Sequence, residues 1–370
     1  MTKLIFQNEP PLRWEQEEFN ELLRWSADQN ASDIKMQSGK PIWIRIHGHW
    51  YAATRRNCTS DEINSLLTTM VRTSIASSML NASEDYDFAY ETKLSRFESL
   101  RFRGNATAMR FGHSMGYCII MRTIPSKPPS LKELSPEQMI LDAGFPLSGL
   151  VLVTGVMGSG KTTLMGGMMR EIIENQPRNV LTYENPIEFD LMNFDNPVGT
   201  CTQTEIPTHL KSFEEAATNA ARRAADVILL GEARNPETIS GLLELSEIGV
   251  AAYATVHTRS VAATPTRIIN AFPSHEQPQI AITLLSALRL IVQQRLVDKV
   301  GGGRVAIREI LAISDTIRDE LIKTPINGLI PRLQKYVADQ GLPLIDDAQI
   351  KYSQGLISRE TLSMIRNQIA

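Results

Sequence analysis

The octapeptide Gly155-Val156-Met157-Gly158-Ser159-Gly160-Lys161-Thr162 constrains this chain more than any other stretch. It fits G-x4-G-K-[ST], and its flanks suit it. The apolar run Leu150-Val151-Leu152-Val153 before it reads as a strand, and the Met-rich segment from Thr163 to Ile173 after it reads as a helix. Glycines let consecutive backbone N–H groups converge on one anion, and a helix N-terminus adds the positive end of its dipole. In such a loop Lys161 neutralises β- and γ-phosphate oxygens, and the Thr162 hydroxyl ligates Mg²⁺. A glycine-rich turn can match the pattern by chance. Strand, glycines, lysine and helix in register argue against that here, so residues 155–163, Thr163 included, are expected to bind ATP with Mg²⁺.

A length of 370 residues suggests two or three domains, and 42% hydrophobic residues are enough for real cores. The formal net charge of −3 gives no electrostatic case for direct nucleic-acid binding. The longest apolar runs are far short of a membrane-spanning helix. Only Leu4-Ile5-Phe6 is apolar before charged residues begin, so no signal peptide is expected. Cys58, Cys118 and Cys201 lie far apart, form no metal-type pair and suit a reducing compartment. The cytoplasm is the expected location.

The chain reads as two α/β parts. Residues 15–29 carry Phe19, Leu22, Leu23 and Ala27 at helical spacing, and Thr59-Ser60-Asp61 supplies capping residues for a helix over 60–71. Strand patterns fall at 33–37, 41–46, 48–52, 85–91, 99–109 and 117–123, which predicts an antiparallel sheet domain over residues 1–123. Residues 124–136 read as a linker, because Pro125, Pro128 and Pro129 exclude regular elements and favour extended backbone. In 137–370, buried strands at 150–154, 179–183, 227–231 and 250–256 alternate with helices, which argues a parallel sheet with crossover helices. Beyond Arg304 the chain reads as mostly helical, with helices at 314–323, 328–339, 345–354 and 358–368.

A phosphate-binding loop needs carboxylates to hold Mg²⁺ and to orient the attacking water. Glu184 stands just past one strand in Thr182-Tyr183-Glu184-Asn185-Pro186-Ile187-Glu188-Phe189, with Glu188 four residues on. Glu232 ends the apolar run Val227-Ile228-Leu229-Leu230-Gly231-Glu232, a Walker B-like arrangement that makes it a candidate Mg²⁺ ligand as well as the water-orienting acid. Open α/β sheets bind ligands at the carboxyl ends of their strands, so both acids are expected near the phosphates; which is the base stays open. His257 follows strand 250–256 and reads equally as a satisfied cap or as a γ-phosphate sensor. Arg101, Arg103, Arg110 and Arg122 lie on and around two strands of the first domain, and locally they read as charges protecting a sheet edge.

Together these residues resemble the secretion and type IV pilus traffic ATPases over nearly the whole chain. The carriers are Ser32-Asp33-Ile34 through Gly39, Pro41, Arg45 and Gly48; Arg101 to Asn105; Arg122 to Pro125; Glu184 to Phe189; Gly231-Glu232-Ala233-Arg234; Thr255 to Thr258; and Ala306-Ile307-Arg308-Glu309. Leu181-Thr182-Tyr183-Glu184, Glu205 to Leu210, Asn219-Ala220 and Arg222-Arg223 are similar to the branch of DotB and the plasmid TraJ proteins, with the PilT-like retraction ATPases as the alternative. The chain departs from the family pattern at Lys35, Asn185, Asn235 and Val250.

The resemblance implies a PAS-like N-terminal domain, a RecA-like P-loop domain with a helical C-terminal extension, and assembly into a homohexamer. It implies ATP hydrolysis that powers type IVB secretion or conjugation machinery at the inner membrane. It also turns Arg101, Arg103 and Arg122 into candidate contacts of bound nucleotide. A pilus retraction motor, or a nucleotide-binding scaffold with negligible turnover, remains as the alternative.

Overall fold

A computed structural model describes residues 5–46, 48–93, 99–124, 127–233 and 235–369. The chain divides into two units, Met1–Ser126 and Lys127–Ala370. Three residues read from the sequence as parts of motifs, Pro125, Ser126 and Arg234, lie outside the described residues.

The first unit holds α1 (Gln16–Asp28), β1 (Asp33–Gln37), β2 (Trp43–Ile46), β3 (His49–Ala52), α2 (Ser60–Val71), α3 (Ile75–Asn81), β4 (Tyr86–Lys93), β5 (Ser99–Phe111) and β6 (Ser114–Ile124). The strands form one antiparallel sheet in the order β3-β2-β1-β6-β5-β4. Period-two alternation sends Ile34, Met36, Ile44, Phe102 and Met121 to the face packed on Phe19, Leu22, Leu23, Ile63 and Leu67 of the helices. Helix α2 starts where the sequence places it: Thr59 Oγ1 accepts the Glu62 N–H while the Glu62 carboxylate accepts the Thr59 N–H.

The other sheet face carries charge. Arg45, Asp33, Arg122 and Arg103 are successive cross-strand partners on β2, β1, β6 and β5. Asp33 lies within this row of arginines. Its carboxylate accepts from Arg122 Nε at 3.1 Å and from the Ser32 hydroxyl at 2.8 Å, with Arg45 Nη1 at 3.9 Å.

The second unit contains α4 (Leu131–Leu134), α5 (Gln138–Ala143), β7 (Gly149–Thr154), α6 (Lys161–Asn175), β8 (Asn179–Glu184), β9 (Thr200–Glu205), α7 (Phe213–Ala221), β10 (Val227–Leu230), α8 (Pro236–Glu247) and β11 (Ala251–Val256). It continues through α9 (Ala263–Ile269), α10 (Gln277–Ala287), β12 (Leu288–Asp298), β13 (Arg304–Ala312), α11 (Asp315–Lys323), α12 (Leu329–Gln340), α13 (Leu344–Ser353) and α14 (Arg359–Ile369). The sheet order is β13-β12-β7-β11-β10-β8-β9. The four expected strands form its centre and run parallel, each buried on both faces as a continuous apolar run.

Two expectations are corrected. The sheet is mixed, because β13 pairs antiparallel with β12, and residues 304–312 form that edge strand, while the four helices expected after it are present as α11 to α14. The segment carries Arg308 and Glu309 among apolar residues, a pattern that local periodicity does not read as a strand. Its tertiary partners decide the outcome: Arg308 is buried and paired with Glu137. Strands β9 and β12 were likewise not anticipated, β9 because it is largely polar. In the segment read as a linker, the Ser130 hydroxyl caps α4 through Glu133, and Leu131 belongs to the core built around Met165, Met168 and Ile172.

Candidate functional site

The loop between β7 and α6 is shaped by its glycines. Gly155, Gly158 and Gly160 have φ of +148°, +75° and +81°, a region that disfavours side chains. At Gly155 and Gly160 space is short too, since a Cβ would stand 2.4 Å from the Gln294 carbonyl oxygen and 2.8 Å from Gln294 Nε2. Lys161 opens α6 and is buried, its Nζ donating to the carbonyls of Gly155 at 2.9 Å and Val156 at 3.0 Å. Burial holds this ammonium below the usual lysine range, against the opposing pull of the Glu232 and Glu188 carboxylates. Both acids therefore act electrostatically on Lys161. Val156 and Met157 are exposed at the crest, and Thr162 and Thr163 are half-buried in the first turn of α6.

The neighbouring strand ends supply the remaining side chains. β11 lies between β7 and β10, so His257 follows the strand that separates the loop from the segment carrying Glu232. His257 Nε2 is 3.1 Å from Glu232 Oε1. The turn after β10 is clamped by one residue of β11: the Thr255 hydroxyl donates to the Gly231 carbonyl at 2.5 Å, and the Ala233 N–H donates to the Thr255 carbonyl at 3.0 Å. Glu232 is carried between those two bonds. On the other side of β11, the Thr258 N–H donates to Thr154 Oγ1 at 2.9 Å, and the two hydroxyls are 2.5 Å apart. This ties the His257 segment to the residue preceding the loop.

Glu184 sits differently. Its side chain is buried, and Oε1 accepts from the Thr182 hydroxyl at 2.6 Å and from Gln203 Nε2 at 3.2 Å. Burial pushes its carboxyl above the usual range, against those bonds and one from the Glu188 N–H. The geometry makes Glu184 a buried acceptor that holds the Glu188 segment, while half-buried Glu188 acts on Lys161.

In the first unit, Arg103 is exposed on β5 directly opposite Arg122, and Arg101 is half-buried on the same face opposite Glu91 of β4. Arg122 is already paired with Asp33. The residues that sequence reasoning passed over are Thr154, Gln203 and Gln294; Thr255 and Thr258 entered it only as part of the resemblance. Thr154 ends β7 just before the loop, Gln203 is the cross-strand partner of Thr182, and Gln294 follows Gln293, the cross-strand partner of Thr154, so position in the sheet rather than local pattern marks them.

The loop suits a phosphate ligand on its own features. Three positive-φ glycines within six residues, a buried Ser159 Oγ without a hydrogen-bond partner and the start of a fifteen-residue helix meet at one place. Among the described residues no group of three or more His, Cys, Asp or Glu side chains could cage a metal ion. Mg²⁺ in nucleotide sites is usually held by one or two protein oxygens plus phosphate and water, a need that the Thr162 hydroxyl and Glu232 would meet. No helix among the described residues is long and apolar enough to cross a membrane.

Comparison with known proteins agrees with this geometry. Residues 28–303 match the family described as "Type II/IV secretion system protein". The type IV pilus retraction ATPase PilT of Pseudomonas aeruginosa is 31% identical over 347 residues, 93% of this chain and 96% of that protein. The crystal structure of the ATPase DotB of Legionella pneumophila superposes with a TM-score of 0.86 at 34% identity, covering 99% of this chain and all of that one. That of the retraction motor PilT with bound ADP gives a TM-score of 0.80 at 29% identity, covering 93% of this chain and 95% of the other. The chain belongs to the type II/IV secretion system protein family, as a PilT-like traffic ATPase close to DotB.

Proposed function

We propose that this protein is the cytoplasmic ATP-hydrolysing motor of a type IVB secretion or conjugation apparatus, acting as a homohexamer at the inner membrane. The observation that carries the reading is the likeness to DotB along the whole chain, joined to the branch residues Thr182-Tyr183-Glu184 and Glu205 to Leu210. A pilus retraction motor is the second reading, favoured by the full-length similarity to PilT.

In this mechanism residues 155–163 hold the phosphates of ATP through backbone N–H groups, and the Lys161 ammonium leaves its loop carbonyls for β- and γ-phosphate oxygens. Mg²⁺, held by the Thr162 hydroxyl and Glu232, would neutralise charge developing on the phosphates. Glu232 orients the attacking water and accepts its proton. His257, 3.1 Å from that carboxylate, fixes its direction and responds to the γ-phosphate. Glu188 stands in reserve beside Lys161, and Glu184 holds the Glu188 segment in place. In the ring, Arg101, Arg103 and Arg122 supply positive charge to the transferring phosphate.

Phosphate release by the purified protein, with and without Mg²⁺, tests the chemistry. Deletion of the gene tests the branch. Loss of DNA or effector transfer with normal twitching supports the secretion reading, and the reverse result supports retraction.

A further inference from the structure

Behind the phosphate-binding loop lies a chain of buried polar side chains that the proposed chemistry does not use. Gln294 on β12 and Arg308 on β13 are cross-strand partners, and both are almost fully buried. Arg308 Nε donates to Gln294 Oε1 at 2.7 Å, and Gln294 Nε2 donates to the Ser159 carbonyl at 2.7 Å. The order matters. A guanidinium can only donate, so it takes the amide oxygen and leaves the NH₂ end facing Ser159.

The Ser159 carbonyl belongs to the peptide unit that carries the Gly160 N–H. In a planar trans peptide those two groups point in opposite directions. Pinning the carbonyl to Gln294 therefore turns the Gly160 N–H away from Gln294 and fixes one donor of the loop. The fit is close, because the glycines at 155 and 160 are where a Cβ would collide with Gln294 itself.

Arg308 is fixed in turn from two directions. Its Nη1 reaches Glu137 Oε2 at 2.8 Å, and its backbone N–H donates to Asp347 Oδ2 at 2.7 Å. Lys351 Nζ joins the two acids, at 2.5 Å from Glu137 Oε1 and 2.6 Å from Asp347 Oδ2. Asp347 and Lys351 are one turn apart on α13, in the helical C-terminal region. Buried ion pairs are weak sources of stability compared with apolar packing, but they specify geometry when every group is satisfied.

We propose that Gln294 is a positioning residue for the phosphate-binding loop, oriented by Arg308, and that through Arg308, Glu137 and Lys351 it couples nucleotide affinity to the packing of α13. This rests on ATP being held by residues 155–163.

The test is binding of the fluorescent analogue mant-ATP, together with steady-state hydrolysis, by the full-length protein. Gln294→Glu keeps the shape and the partner for Arg308 but removes the donor to Ser159. We expect Kd and KM to rise about tenfold, the size of one buried hydrogen bond, while kcat changes by less than about threefold. Should that variant not fold, Gln294→Asn, one methylene too short to span both partners, takes its place with the same expectation. Unchanged Kd and KM in a folded variant overturn the positioning role.

Lys351→Gln reads the far end. It should weaken mant-ATP about two- to fivefold in the natural background and have no further effect beside Gln294→Glu, because groups acting through one another are non-additive. Equal weakening in both backgrounds, or none, overturns the coupling. If the wild-type protein itself fails to bind mant-ATP, the nucleotide reading falls and this inference with it. Wild type and variants binding alike overturn the inference alone.

Discussion

His257 Nε2 stands 3.1 Å from Glu232 Oε1, although 24 residues lie between the two in the chain and helix α8 connects the neighbouring strands β10 and β11 that deliver them. The pair is made possible by the parallel register of Leu230 with Ala254, which brings both strand ends to the edge occupied by the P-loop. Glu232→Gln should retain nucleotide and lose turnover by on the order of a hundredfold to a thousandfold, since glutamine keeps the shape but accepts no proton. His257→Ala should lower turnover less, by releasing the carboxylate from its fixed direction. Single-turnover hydrolysis measured beside mant-ATP affinity distinguishes the two effects. Faster chemistry in Glu232→Gln than in Glu184→Gln would reverse the assignment of the base.

Lys161→Ala should preserve the circular dichroism spectrum and remove at least about 99% of turnover, as expected when a preorganised charge on the phosphates is lost. Its ammonium is held by two loop carbonyls, so the variant also frees the Gly155 and Val156 carbonyls. Undiminished hydrolysis would remove the loop from the mechanism.

Glu184 gives a pH signature. Burial raises its carboxyl above the unfolded value, so the folded state binds this proton more readily than the unfolded chain. Its contribution to stability is thus fully present below the unfolded pKa and is lost as pH rises through the folded one. Glu184→Gln removes this titration. Thermal melts should show the variant gaining on the wild type as pH is raised from the unfolded carboxylate range towards neutrality. A stability difference independent of pH would contradict the burial-driven shift.

Arg103→Ala should leave ATP binding nearly intact and lower turnover by on the order of a hundredfold, because charge supplied to the transferring phosphate counts most in the transition state. Arg103→Lys should recover little, as it lacks the planar fork. Asp33→Asn provides a contrast: it removes the anion paired with Arg122 and should act chiefly on stability, by about 1–3 kcal/mol. ATPase rates and melting temperatures measured on all three variants check this. Turnover unaffected by Arg103→Ala would leave the row as surface charge.

The glycine loop after Thr154, its flanking strand and helix, and the strands that end near Glu184, Glu232 and His257 were legible in the sequence. Each rests on short-range chemistry: glycines that permit positive φ, apolar runs that must be buried on both faces, and a helix that starts at Lys161. Strand β13 was not legible. Arg308 and Glu309 interrupt its pattern, and only Glu137, Gln294 and Asp347, distant in sequence, make burial of Arg308 tolerable. The different surroundings of Glu184 and Glu232 were equally hidden, since both are acids at or just past a strand end. Tertiary structure separates them by closing Thr182 and Gln203 around one and setting His257 beside the other. Local pattern is written in neighbouring residues, whereas the environment of a carboxylate depends on which distant side chains reach it first.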